Sequence, residues 1–198
     1  STHWLMPRRP RLRRDQPDID IHLVSMDLKR EALGGKHDLI ISRGEGNWDG
    51  FEAELLLDEE IFPVCSPFYM EEQKLYRLED LSRCTLIKVA SHHSEWMDWD
   101  RWLAAVDMPS MEVAASLTFN TYSLSIQAAV DDLGVALGWR HLVDRHLEEG
   151  TLIRPLPDSV HTTSGYFLLQ RKDSRLSRAS QSVRAWLFAE AGSRQSNS

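Results

Sequence analysis

Val113-Ala114-Ala115-Ser116-Leu117-Thr118-Phe119, then Asn120, then Thr121 through Asp132, then Gly134-Val135-Ala136-Leu137-Gly138-Trp139-Arg140 reads as strand, turn, helix, strand. Working outward, the same alternation recurs upstream as a strand over Thr85 to Val89 and a helix over Trp99 to Val106. Downstream it continues as a helix over Leu142 to Glu149. Strands alternating with helices predict an α/β fold.

The region before Ser66-Pro67 forms another such block. Ser1 or Thr2 can cap a helix through about Arg14, with Pro7 tolerated near its start and Pro17 closing it. Ile19, Ile21 and Leu23 alternate with Asp18, Asp20 and His22, the period of a strand with one covered face. A short helix from about Asp27, a break at Gly34-Gly35 and an apolar strand Asp38-Leu39-Ile40-Ile41 follow. Glu52 to Leu57 and Glu60 to Cys65 read as two strands, separated by Asp58-Glu59-Glu60 as a solvated turn. A strand around Tyr166 to Gln170 and a helix from about Leu176 to Ala191 close the chain. Two α/β blocks with a terminal helix left over predict two lobes linked by crossing strands, with a cleft between them.

Composition limits what such a protein does. Of 198 residues, 42% are hydrophobic and 27% charged, enough apolar surface to fold. The formal net charge of -7 argues against this piece holding duplex DNA by itself, since that affinity rests on phosphate neutralisation. Arg8, Arg9, Arg11, Arg13 and Arg14 form a local exception, best read as a solvated helix face around Leu5 and Leu12. Cys65 and Cys84 are too few for a disulfide framework, and no apolar run approaches the roughly 18 residues of a membrane span. The expected compartment is the cytoplasm. The chain starts at Ser1 within a helical pattern and is read as a fragment of a longer protein.

A search for chemistry returns little. His92 and His93 are adjacent, so they lack the spacing of a metal pair on one helix face, and neither cysteine lies in a nucleophile motif. Gly44-Glu45-Gly46 is not continued as a dinucleotide-binding loop. No metal, no cofactor and no enzymatic activity are expected. The aromatics Trp96, Trp99 and Trp102 suit a packed stripe on one helix more simply than a binding platform.

Recognition is signalled instead by two helix starts, Ser1-Thr2-His3 and Asn120-Thr121-Tyr122. Free N–H groups and the helix dipole suit such turns to carboxylates or phosphates, although Asn120 and Thr121 serve equally as plain caps. Arg43 and Gly138-Trp139 also sit at strand ends, where open α/β sheets bind ligands.

Thr2-His3-Trp4-Leu5-Met6-Pro7-Arg8, Asp38 to Ile41 with Gly44-Glu45-Gly46-Asn47-Trp48, Phe62-Pro63-Val64-Cys65-Ser66-Pro67 and Gly134 to Arg140 together resemble the effector domain of LysR-type transcriptional regulators. Within that family they resemble the branch of the glycine-cleavage activator and the β-lactamase regulator. The resemblance covers about residues 1 to 190, in order.

It implies two Rossmann-like lobes of the type 2 periplasmic-binding-protein kind, with lobe I over residues 1–66 and 167–198 and lobe II over 67–166. It implies a small effector, anionic or amino-acid-like, in the cleft near Ser1, Thr2, His3, Arg43, Ser66, Asn120, Thr121, Tyr122, Gly138 and Trp139. It also implies a homodimer, a tetramer in the full-length protein, and DNA contact only through an N-terminal winged helix-turn-helix that this chain lacks. The alternative is a periplasmic solute-binding protein of the same general fold. The family's first strand has no counterpart ahead of the opening helix. Two residues depart from the branch: Ser42 stands where an arginine is usual, and Asn120 where an aspartate is usual.

Overall fold

The computed structural model describes residues 2–24, 33–90 and 96–195. The chain divides into two compact units, Ser1–Glu59 with Thr162–Ser198 and Glu60–His161. The main chain therefore passes between them twice, at Glu59-Glu60 and at His161-Thr162.

In the first unit, helix Thr2–Leu5, a 3-10 turn Met6–Arg8 and helix Arg9–Asp15 run in succession, interrupted where Pro7 and Pro10 remove backbone donors. Trp4, Arg8 and Leu12 are the buried members of this segment. Arg8 spreads over the Trp4 ring at 4.9 Å and, with Arg11, approaches the buried carboxylate of Glu190 on the terminal helix Arg178–Gln195. Part of the basic run is thus spent on an internal charge. The strand expected over Ile19 to Leu23 is absent: residues 19–24 run without strand pairing, and Leu23 and Val24 are 38% and 50% exposed. Period-2 alternation makes a strand only when a neighbour takes its backbone hydrogen bonds. The helix expected from Asp27 lies outside the described residues up to residue 32, and Leu33 and Gly34 are helical, with the break at Gly35.

Strand β1 (Ile40–Gly44) pairs antiparallel with β6 (Val160–Arg171), Ile40 facing Leu169 and Gly44 facing Gly165. β6 neighbours β2 (Phe51–Val64). Their approach at Gly165 is close enough that a Cβ there would lie 2.7 Å from the Leu57 carbonyl oxygen, which excludes any side chain. β2 is one continuous strand of 14 residues rather than two strands and a turn.

In the second unit, the end of β2 runs antiparallel to β5 (Val135–Trp139), with Ile61 opposite Trp139 and Val64 opposite Ala136. β5 is parallel to β3 (Thr85–Val89), and β3 to β4 (Ala115–Phe119). Helices Pro67–Gln73, Trp99–Ala105, Tyr122–Val130 and Arg140–Glu148 connect these strands. Three of the helices have side-chain N-caps: Ser66 accepts from Tyr69 N, Asp98 from Arg101 N and Thr121 from Leu124 N. All five residues of β5 are buried, as befits a strand covered on both faces.

Candidate functional site

The second unit gathers an aromatic cluster at the carboxyl ends of its parallel strands. Tyr122 begins a helix one residue after its cap and Trp139 ends β5, and their rings meet edge to face at 5.3 Å. Trp96 completes the group, 5.1 Å from Trp139 and 6.0 Å from Tyr122. The Trp139 backbone N–H donates to the Tyr122 hydroxyl at 3.2 Å, fixing the end of β5 against the helix start. The Ser125 hydroxyl donates to the Tyr122 carbonyl at 2.7 Å.

Beside this cluster lies a cavity of about 300 Å3, walled by Trp96, Trp99, Trp139, Leu137 and Ile87 and edged by Lys88, Asp98, Asp100 and Arg101. Trp99 is held in its wall by an indole N–H donated to the Ile87 carbonyl at 2.9 Å. Open α/β sheets bind ligands outside the carboxyl ends of their strands, which is where this cavity opens, at Ile87 to Val89 of β3 and Leu137 to Trp139 of β5.

The expected site residues fare differently. Tyr122 and Trp139 are brought together and both are buried, with Trp139 in the cavity's wall and Tyr122 behind it. Gly138 has a packing role: a Cβ there would lie 2.8 Å from Val64 Cγ1, so only glycine lets β5 lie so close to β2. Asn120 and Thr121 are exposed, and the Thr121 hydroxyl is the helix cap at 3.3 Å from Leu124 N. Thr121→Val is therefore expected to lower stability in the absence of ligand by about 1 kcal/mol, read as a shift in the denaturation midpoint. Ser66 is buried, caps the Pro67–Gln73 helix and donates to Asp132, with no part in the cavity wall.

Thr2, His3 and Arg43 belong to the first unit, while Ser1 lies outside the described residues. Thr2 opens the first helix, and His3 is exposed. Arg43 is engaged internally, where its Nε and Nη2 donate to Glu59 Oε1 at 2.5 Å and Oε2 at 2.7 Å. The Thr162 hydroxyl donates to the same carboxylate at 2.6 Å. Tyr166, opposite Arg43 in the β1–β6 ladder, is 4% exposed and its hydroxyl has no hydrogen-bond partner among the described residues. Burial, reinforced by the Glu59 charge, pushes that phenol well above its ordinary range, so it stays neutral.

Asp58-Glu59-Glu60, expected as a solvated turn, is mid-strand, and two of its carboxylates are buried. Successive strand residues face opposite ways, and Glu60 meets Arg140 at 3.0 Å and Arg154 at 2.9 Å. Burial raises the Glu60 pKa, but the Ser159 hydrogen bond and the Arg154 and Arg140 charges outweigh it and leave the group below its ordinary value. Burial also pushes the thiols of Cys65 and Cys84 up, to about 12 and about 11, so both stay protonated and unreactive near neutral pH. No cluster of metal-ligating side chains occurs among the described residues.

The tryptophan stripe is divided by function. Trp99 and Trp102 lie on the helix and are buried, whereas Trp96 precedes it and turns onto Tyr122 and Trp139. The signal was present in the sequence: an aspartate N-cap at Asp98 begins the helix after Trp96.

The signature of the LysR substrate binding domain matches residues 1–192. The glycine cleavage system transcriptional activator of Escherichia coli (strain K12) is 29% identical over 196 residues, 98% of this chain and 63% of that protein. The HTH-type transcriptional regulator PerR of the same strain is 31% identical over 189 residues, 94% of this chain and 62% of that protein. The chain thus spans less than two thirds of the length of these relatives. Among solved structures, the effector domain of AmpR from Pseudomonas aeruginosa superposes with a TM-score of 0.76 at 26% identity, covering 98% of this chain and 91% of that one. The CrgA regulatory domain from Neisseria meningitidis shares the fold with a TM-score of 0.74 at 18% identity, covering 96% and 93%.

Proposed function

The chain belongs to the family of LysR substrate-binding domains, and from that premise we propose that it is the ligand-sensing part of a transcriptional regulator, acting by binding and not by catalysis. Its fold is the two-lobe α/β fold of LysR effector domains. The relatives and structures named above are regulators, and the alternative of a periplasmic solute-binding protein finds no support among them. A small effector would occupy the second unit's cavity, whose position at the ends of β3 and β5, with Trp96 and Trp139 in its lining, is the observation that carries this assignment. The parent protein would then work in the cytoplasm as a homodimer or tetramer, contacting DNA through a segment outside this chain. Effector binding redistributes such an assembly only to the extent that its arrangements differ in affinity for the effector.

A thermal-shift screen of metabolites tests the reading, since a ligand at about 100 times its Kd adds near 2.7 kcal/mol. The expected hit loses at least tenfold in affinity with Trp96→Ala. A ligand that binds this variant as tightly as the wild type overturns the assignment of the site.

A further inference from the structure

We infer that the cavity lined by Trp96, Trp99 and Trp139 takes a zwitterionic α-amino acid with a large apolar side chain, its carboxylate on Lys88 and its ammonium on Asp100. This rests on the effector-site reading above and adds the chemical class of the ligand.

The charges at the rim carry the inference. Of the four charged residues that edge the cavity among the described residues, Asp98 and Arg101 answer each other: the Asp98 carboxylate accepts from the Arg101 backbone N–H at 2.8 Å, and its other oxygen lies 4.0 Å from the Arg101 guanidinium. Lys88 and Asp100 are the remaining two, one of each sign, and neither makes an ion pair or side-chain hydrogen bond with another described residue. Lys88 is half-buried near the end of β3, so an anion held there is less screened by solvent than one on an exposed lysine. A ligand carrying only a carboxylate would answer Lys88 and leave Asp100; a simple amine would do the reverse. Only a ligand with both groups answers both.

The walls select what lies between those groups. Trp96, Trp99 and Trp139, with Leu137 and Ile87, make the lining largely apolar and aromatic, which favours an aromatic or bulky aliphatic group. A volume of about 300 Å3 stands at the small end of ligand pockets and matches one amino acid better than a peptide. Because Asp100 is exposed and Lys88 half-buried, solvent screens the ammonium contact more, and the carboxylate contact is the stronger of the two.

Titration calorimetry on the chain tests this with L-phenylalanine, 3-phenylpropionate and 2-phenylethylamine. Binding of L-phenylalanine is expected, with both truncated analogues weaker by tenfold or more and the amine the weaker of the two. Lys88→Met should cost L-phenylalanine and 3-phenylpropionate at least tenfold and leave 2-phenylethylamine unchanged. Asp100→Asn should cost L-phenylalanine a smaller factor and leave 3-phenylpropionate unchanged. Equal affinity for the amino acid and 3-phenylpropionate, or no binding of L-phenylalanine, L-tryptophan or L-leucine, overturns the ligand class. The site reading fails separately, if L-phenylalanine binds Trp96→Ala and Lys88→Met undiminished.

Discussion

Glu59→Ala is expected to lower stability by about 3–5 kcal/mol, because it removes one partner of a buried ion pair and leaves the other charge inside. The Glu59 side chain is 0% exposed and that of Arg43 11%, and the two meet through a bidentate contact that Thr162 supplements. Removing the carboxylate takes the bidentate acceptor from a guanidinium that little water reaches. Glu54→Ala is the control on the same strand: its pair with Arg184 joins side chains 56% and 39% exposed, and such pairs are worth about 0–1 kcal/mol. Urea denaturation of the two variants should separate them clearly. The double variant Glu59→Met with Arg43→Met should recover most of the loss, since apolar replacements of similar size remove both charges together. A loss below about 1 kcal/mol for Glu59→Ala would mean that water or a neighbouring group satisfies Arg43 without it.

The same carboxylates mark where sequence reading reached its limit. The alternation of strands and helices from Thr85 to Glu148 was legible because each element carries its own signal. β5 is an unbroken apolar run, the helices Trp99–Ala105 and Tyr122–Val130 begin at side-chain caps, and parallel strands need helical crossovers. Asp58-Glu59-Glu60 carries the local signal of a solvated turn, and its burial depends on arginines 16, 80 and 94 residues away. Partners so distant leave no trace in a window of ten residues. β6 was read short for a related reason, as its first half, Val160 to Ser164, is polar and half-exposed and lies in the strand by pairing and not by composition. In the candidate site, the helix start at Tyr122 and the strand end at Trp139 were legible from their local signals. Lys88 and Asp100 were not, because nothing local distinguishes an unanswered charge from an ordinary surface one.

Trp102→Ala should have an effect as large, about 3–5 kcal/mol, and in the unit that holds the cavity. Trp102 is 0% exposed, meets Trp99 edge to face at 5.7 Å, and donates its indole N–H to the Ile61 carbonyl on β2 at 2.9 Å. Alanine would remove that apolar volume, open a cavity and leave a strand carbonyl without this donor. Trp102→Phe separates the contributions: it keeps most of the packing and loses the hydrogen bond, so about 1–3 kcal/mol of the loss should remain. The consequence extends to binding, since Trp99 rests on Trp102 and forms a wall of the cavity. Trp102→Ala should therefore weaken L-phenylalanine under conditions where the variant is still folded, although Trp102 does not line the cavity. Thermal denaturation and titration of the same preparation decide the matter. A folded Trp102→Ala variant with undiminished affinity would show that Trp99 holds its position through Ile87 alone, and a stability loss under about 1.5 kcal/mol would show that the surrounding helices close over the space the indole leaves.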